Sequence, residues 1–150
     1  MRIAIAADQV KGSALYLADE LRKRGHEVSP FGAFDPDHDP QFADDWAPVS
    51  AAAAREVAAG RADQAIVCCW TGTGASIAAN KVDGVRAALC GDAETAAGAR
   101  RWNHANVLAL SLRLTSGPML MEILDAWFAT APSHEAADEL NVEYVADIRG

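Results

Sequence analysis

Gln64-Ala65-Ile66-Val67-Cys68-Cys69-Trp70-Thr71-Gly72-Thr73-Gly74 decides the fold. The run Gln64–Cys69 carries no charge and reads as a strand buried on both faces, as in a parallel sheet, and the threonine–glycine turn after it opens a helix. The same strand-turn-helix alternation extends in both directions. Towards the N-terminus, Arg2–Ala7 is a short apolar run, and Val10–Arg24 carries Leu15, Leu17, Ala18 and Leu21 near helical spacing before stopping at Gly25. Glu27–Phe31 reads as a second strand, Gly32–Trp46 as a long aspartate-rich loop of the kind that is often functional, and Pro48–Ala59 as an alanine-rich helix. Towards the C-terminus a short helix runs to Asn80, followed by a strand at Arg86–Leu89, a helix at Asp92–Arg101, a strand at Val107–Leu112 and an amphipathic helix at Ser116–Ala129. Ser133–Gly150 is polar and poorly periodic and reads as a short tail with room for partial helix. The alternation predicts an α/β fold: a doubly wound parallel sheet of about five strands with helices on both faces.

A chain of 150 residues, 51% hydrophobic, has the length and apolar surface of one domain, read as 1–150 with 133–150 as its tail. The longest apolar stretches, Gln64–Trp70 and Val107–Leu112, are far too short for a bilayer, and the N-terminus runs into a strand without a signal peptide, so the expected setting is cytoplasmic and away from membranes. Three cysteines, two of them adjacent, suit reduced thiols rather than a disulfide framework, and no Cys/His cluster suggests a metal site. A formal charge of −8 without a basic run argues against nucleic acid as a partner.

Ligands of a parallel sheet sit beyond the carboxyl ends of its strands, and three segments there carry chemistry. Asp8 and Gln9 follow the first strand; Asp8 could bind sugar hydroxyls or merely cap the next helix. Cys69, Trp70, Thr71, Gly72, Thr73 and Gly74 follow the most hydrophobic strand. Glycines there let the backbone approach a ligand, helix-start N–H groups favour negative charge, and the same field favours the thiolate that a general base needs. Strand geometry puts Cys68 and Cys69 on opposite faces, so one of them faces the cleft. Taken alone, Gly-x-Gly is weak, a buried cysteine is commonly inert, and an anion-binding turn for a nucleotide also fits, although Gly-x-Gly-x-x-Gly and the P-loop are absent. The third segment is Trp102, Asn103 and His104, with Arg113 after the following strand; His104 could protonate a ring oxygen or could be a surface residue, as His26, His38 and His134 are read.

Three segments stand in order: Thr71-Gly72-Thr73-Gly74-Ala75-Ser76-Ile77-Ala78-Ala79-Asn80-Lys81, Gly84-Val85-Arg86-Ala87-Ala88-Leu89-Cys90 and Ala105-Asn106-Val107-Leu108-Ala109-Leu110. With them the chain resembles the ribose-5-phosphate isomerase B family, which also contains the galactose-6-phosphate isomerase subunits, over roughly residues 1–130. The resemblance implies a Rossmann-like subunit in a homodimer or dimer of dimers with shared active sites. It also implies isomerisation of a sugar or sugar phosphate through a cis-enediolate without metal or cofactor. Carried over by position, Cys69 matches the catalytic base, Thr71 supports the enediolate, the amides around Gly72, Thr73 and Gly74 match the anion hole, and Asp8 and Asn103 match substrate-contacting positions.

The departures from the family are Gln9 for His, Trp70 for Gly and Trp102 for the ring-opening His, with His104 two residues further on. The C-terminal arginines that hold the phosphate have no counterpart, and Arg113 is the phosphate arginine that remains. The expected activity is therefore that of an aldose–ketose isomerase with a substrate other than ribose 5-phosphate. A sugar-binding or regulatory protein that has lost catalysis is the alternative.

Overall fold

Residues 1–37 and 45–148 are described by a computed structural model. Strands β1 (Arg2–Ala7), β2 (Glu27–Gly32), β3 (Gln64–Cys69), β4 (Ala87–Leu89) and β5 (Val107–Ser111) form one parallel sheet in the order β2-β1-β3-β5-β4. Helices α1 (Ala14–Lys23), α2 (Trp46–Ala58), α3 (Thr73–Ala79), α4 (Ala93–Asn103), α5 (Gly117–Ala129) and α6 (Ala136–Asp147) complete the described elements. The doubly wound α/β architecture is the one that the alternation predicts. Helix α1 starts later than Val10 because Gly12, at φ +58°, turns the chain before it.

Alternation along each strand builds two unequal layers. On one face Ile3 and Ile5 of β1, Ile66 and Cys68 of β3, and Leu108 and Leu110 of β5 pack against Leu17 and Leu21 of α1, Ala96 and Ala99 of α4, and Leu120, Ile123, Leu124 and Trp127 of α5. Inside this layer the Trp127 indole N–H donates to Gln64 Oε1 at 2.7 Å, with the contact fully buried. On the other face Ala4, Ala6, Ala65, Val67, Cys69 and Ala109 meet Val49, Ala53 and Ala54 of α2 and Ala75 and Ala79 of α3. The run Ala51–Ala54 is thus more than a good helix former, because small side chains on both partners bring α2 close to the sheet.

Strand β4 is short and at the edge, and two asparagines stand in for missing ladder partners. Asn80 Oδ1 accepts from Ala87 N–H at 2.8 Å and its Nδ2 donates to Ala87 O at 2.9 Å. Asn106 Oδ1 accepts from Arg86 N–H at 2.8 Å and its Nδ2 donates to Gly84 O at 2.9 Å.

The tail expected at 133–150 contains a full helix, α6. None of its side chains is buried, and Leu140, Tyr144 and Val145 are exposed, so it has no core face in its own chain to imprint a period on the sequence. The three cysteines are free and buried. Among the described residues no helix is long and apolar enough to cross a membrane.

Candidate active site

β1 and β3 are neighbours, but α1 leaves towards the thick layer and α3 towards the alanine layer, so this is the topological switch point at which ligands of such sheets bind. The register pairs Ala7 with Cys68, which sets Asp8 level with Cys69. Cys69 faces the alanine layer and is 5% exposed at the carboxyl end of its strand. Cys68 points into the thick layer, and burial, with Cys69 and Asp8 adding to it, pushes its thiol far up, so it is protonated and inert near neutrality. Cys90 is likewise pushed up to about 12, first by burial and then by Asp92.

The turn after Cys69 requires its glycines. Gly72 has φ +76°, and a Cβ there would lie 2.5 Å from Leu89 Cδ1, 2.8 Å from the Leu110 carbonyl carbon and 2.9 Å from Ser111 N. At the turn, Thr71 Oγ1 and Thr73 Oγ1 share a hydrogen bond at 2.7 Å. The end of β5 is stitched to the same turn: Leu112 N–H donates to Cys69 O at 3.0 Å, Arg113 N–H to Trp70 O at 2.9 Å, and Ser111 Oγ to Trp70 O at 3.1 Å. Arg113 therefore emerges beside Trp70, whose indole is 48% exposed.

One cation here escaped the sequence reading. Lys11 Nζ sits 4.6 Å from the centroid of the Trp70 ring. Its signal was a lysine three residues after Asp8, which the helical reading of Val10–Arg24 absorbed.

Trp102, Asn103 and His104 lie elsewhere, which corrects their grouping with the carboxyl ends of the strands. They close α4 and lead into the start of β5, and β5 runs parallel to β3 with Ala65 opposite Val107 and Cys69 opposite Ser111. Within one chain they are thus at the amino end of the sheet, on the order of 15 Å or more from Cys69 by strand rise. His104, in the left-handed conformation at φ +47°, caps α4; its Nε2 is 2.8 Å from Ser133 O, and its own carbonyl accepts from Arg86 Nε at 3.0 Å. Trp102, 54% exposed, lies along Gly98. Trp102 and Asn103 line a groove of about 820 Å³ with Arg86, Leu89, Thr95 and Val145, and neither Cys69 nor Thr71 reaches it.

Of the remaining histidines, His26 is partly buried against Phe128, with ring centroids 4.5 Å apart, and His134 is on the surface beside Glu139. His38 and the middle of the loop Gly32–Trp46 fall at 38–44, outside the described residues. Among the described residues no group of three or more His, Cys, Asp or Glu is placed to hold a metal ion.

A cysteine at the switch point of a doubly wound sheet, followed by two hydroxyls and a glycine turn, makes the carboxyl end of the sheet the candidate site of this α/β protein. A family model described as Ribose/Galactose Isomerase matches residues 3–144. The galactose-6-phosphate isomerase subunit LacB of Clostridium acetobutylicum is 37% identical over 130 residues, covering 85% of this chain and 71% of that protein. D-erythrulose-4-phosphate isomerase of Pectobacterium atrosepticum is 35% identical over 131 residues, covering 85% of this chain and 82% of the relative. Ribose-5-phosphate isomerase B of Clostridium thermocellum superposes with a TM-score of 0.86 at 34% identity, covering 98% of this chain and 96% of that structure. The chain belongs to the Ribose/Galactose Isomerase family. It is an aldose–ketose isomerase.

Proposed function

We propose that this isomerase moves a proton between adjacent carbons of a sugar phosphate through a cis-enediolate, with Cys69 removing and returning the proton. The observation that carries the reading is the position of Cys69, level with Asp8 and directly before the Thr71–Gly74 turn, at the sheet end where ligands bind. Proton abstraction beside a carbonyl needs a base and stabilisation of the oxyanion that forms. Thr71 and the amides of Gly72, Thr73 and Gly74 supply the second, while Asp8 and Gln9 hold substrate hydroxyls.

The working enzyme is a cytoplasmic homodimer with shared sites. Support comes from the two halves of the site, which lie at opposite ends of the sheet in one chain, so that Trp102, Asn103 and His104 can meet Cys69 only from a second copy.

The substrate is a sugar phosphate shorter than ribose 5-phosphate. No Arg or Lys occurs between Trp127 and Ala146, and α6 carries Asp138, Glu139 and Glu143 where the family holds its phosphate. The similarity to a D-erythrulose-4-phosphate isomerase supports the shorter chain. So does chemistry, because a four-carbon sugar with its terminal hydroxyl blocked cannot close a five-membered ring and needs no ring-opening histidine.

Purified protein and its Cys69→Ser variant, assayed against a panel of aldoses, ketoses and their phosphates, test the reading. Turnover of a four-carbon phosphosugar that Cys69→Ser lowers by orders of magnitude is expected. One observation favours a second reading, loss of catalysis with retained sugar binding: the His104 ring is engaged by Ser133 O. Sugar-phosphate binding without turnover of any panel member would support it.

A further inference from the structure

We infer that Arg86 and Arg100 are positioning residues for Asn103: their guanidinium groups bond the carbonyls of the two residues that follow it, and so set how Asn103 is presented to the site of a second copy. The inference rests on the reading that the site is shared. Arg86 Nε donates to His104 O at 3.0 Å, and Arg100 Nη1 donates to Ala105 O. Both carbonyls lie in the turn that ends α4, where a cation also meets the negative end of the helix dipole. His104 takes the left-handed conformation at φ +47°, which is uncommon for a residue with a Cβ and persists only where its surroundings hold it.

The rest of the turn is fixed from the same side. Asn106 Oδ1 accepts from Arg86 N–H at 2.8 Å, Asn106 N–H donates to Arg86 O at 3.1 Å, and Ala105 N–H donates to Ala99 O at 3.0 Å. Arg86 is thus pinned by its backbone before its side chain reaches back to His104. The Arg100 guanidinium lies 5.3 Å from the centroid of the buried Trp127 ring, which holds it from behind. The arrangement is costly for two cations. Among the described residues neither is in a salt bridge, burial works against both charges, and Arg86 repels Arg100. Arg100 Nε is also buried without a hydrogen-bond partner among the described residues. In return, two rigid forks grip adjacent carbonyls and leave the turn little freedom. What the clamp holds still is an exposed pair, Trp102 and Asn103, that immediately precedes it.

The test is subunit complementation with Arg86→Met and Arg100→Met, followed as kcat on the panel sugar that the wild type turns over fastest. Each variant alone should lose about tenfold or more in kcat, since a misplaced substrate-contacting group is that costly. Mixed with an equal amount of Cys69→Ala chains, activity should rise to about a quarter of wild type, because a mixed dimer joins the intact Cys69 of the arginine variant to the intact turn of the other chain. Mixed with Asn103→Ala chains, it should stay at the average of the two, since both turns are then defective. Arg86→Lys keeps the charge without the planar grip. It should lose less, and it takes the place of methionine in the mixtures if a thermal melt shows the methionine variants unfolded. Wild-type kcat in every folded variant would overturn the inference. So would rescue by Asn103→Ala and not by Cys69→Ala, which would place the effect of the arginines on Cys69 of their own chain. If Cys69→Ala and Asn103→Ala complement each other but neither rescues the arginine variants, the inference alone falls. If those two fail to complement each other with exchange demonstrated, the shared site falls and the inference with it.

Discussion

The indole of Trp46 lies against the α-carbon of Gly74, so close that a Cβ on the glycine would sit 2.8 Å from the ring. The first residue of α2 thereby covers the first turn of α3, where the oxyanion-binding amides are proposed. Gly74→Ala pushes a flexible, 43% exposed ring aside and should cost about 1 kcal/mol, whereas Gly72→Ala meets backbone at a left-handed position and should cost roughly 3 kcal/mol. Urea denaturation of both variants checks the order. A Gly72→Ala variant as stable as Gly74→Ala would show that the turn can relax.

The adjacent cysteines should separate cleanly by role. Cys69→Ser is expected to lower kcat by roughly 10²–10⁴-fold with the fold intact. Cys68→Ala should keep near-native kcat and lose about 1 kcal/mol of stability from the thick layer. Parallel kinetics and thermal melts decide it, and the opposite pattern would reverse the face on which the base is read.

Complementation tests the shared site. Cys69→Ala and Asn103→Ala chains, each nearly inactive alone, should recover about a quarter of wild-type activity after mixing and subunit exchange, because half of the dimers are mixed and each mixed dimer has one intact site. No recovery with demonstrated exchange would mean that each chain builds its own site.

His26 gives the fold a mild acid sensitivity. Burial against Phe128, with the N-terminal ammonium and Arg24 adding repulsion, lowers its pKa below the ordinary histidine value. The unfolded chain then binds the proton more readily, so this contribution is fully present above about pH 6.5 and is lost as pH falls through that value towards the folded pKa. His26→Asn should flatten the dependence of unfolding free energy on pH between about 7 and 5. An unchanged slope would assign the acid sensitivity to other groups.

Trp127 and Gln64 form a buried polar pair within the thick layer. Trp127→Phe leaves the Gln64 oxygen without its donor and should cost about 1–3 kcal/mol beyond the packing loss. In a double-mutant cycle, adding Gln64→Leu should recover part of this, since neither partner is then left alone. Full additivity by urea denaturation would indicate that the hydrogen bond contributes nothing.

Most of the sheet was legible because strand burial writes itself into composition. Gln64–Cys69 and Val107–Leu112 could hardly be anything but central strands, and the face split of Cys68 and Cys69 follows from a period of two. Helix α6 was not legible, because a helix that buries nothing in its own chain leaves no apolar stripe. That Trp102, Asn103 and His104 do not stand at the carboxyl end of the sheet was not legible for a different reason. Proximity to a strand in sequence does not say which end of it a loop occupies, and here the loop comes before β5 rather than after it. Lys11 was hidden by the apolar periodicity that starts beside it, although Gly12 marks the turn.

The alanine layer has an evolutionary consequence. Cys69 sits where backbone meets backbone with little more than methyl groups between, so its position has almost no freedom to drift. Trp70 and Lys11 are exposed at the rim of the proposed site, where a replacement would leave the packing beneath undisturbed. Such a division lets a lineage try new sugars by editing its rim while inheriting the same chemistry unaltered.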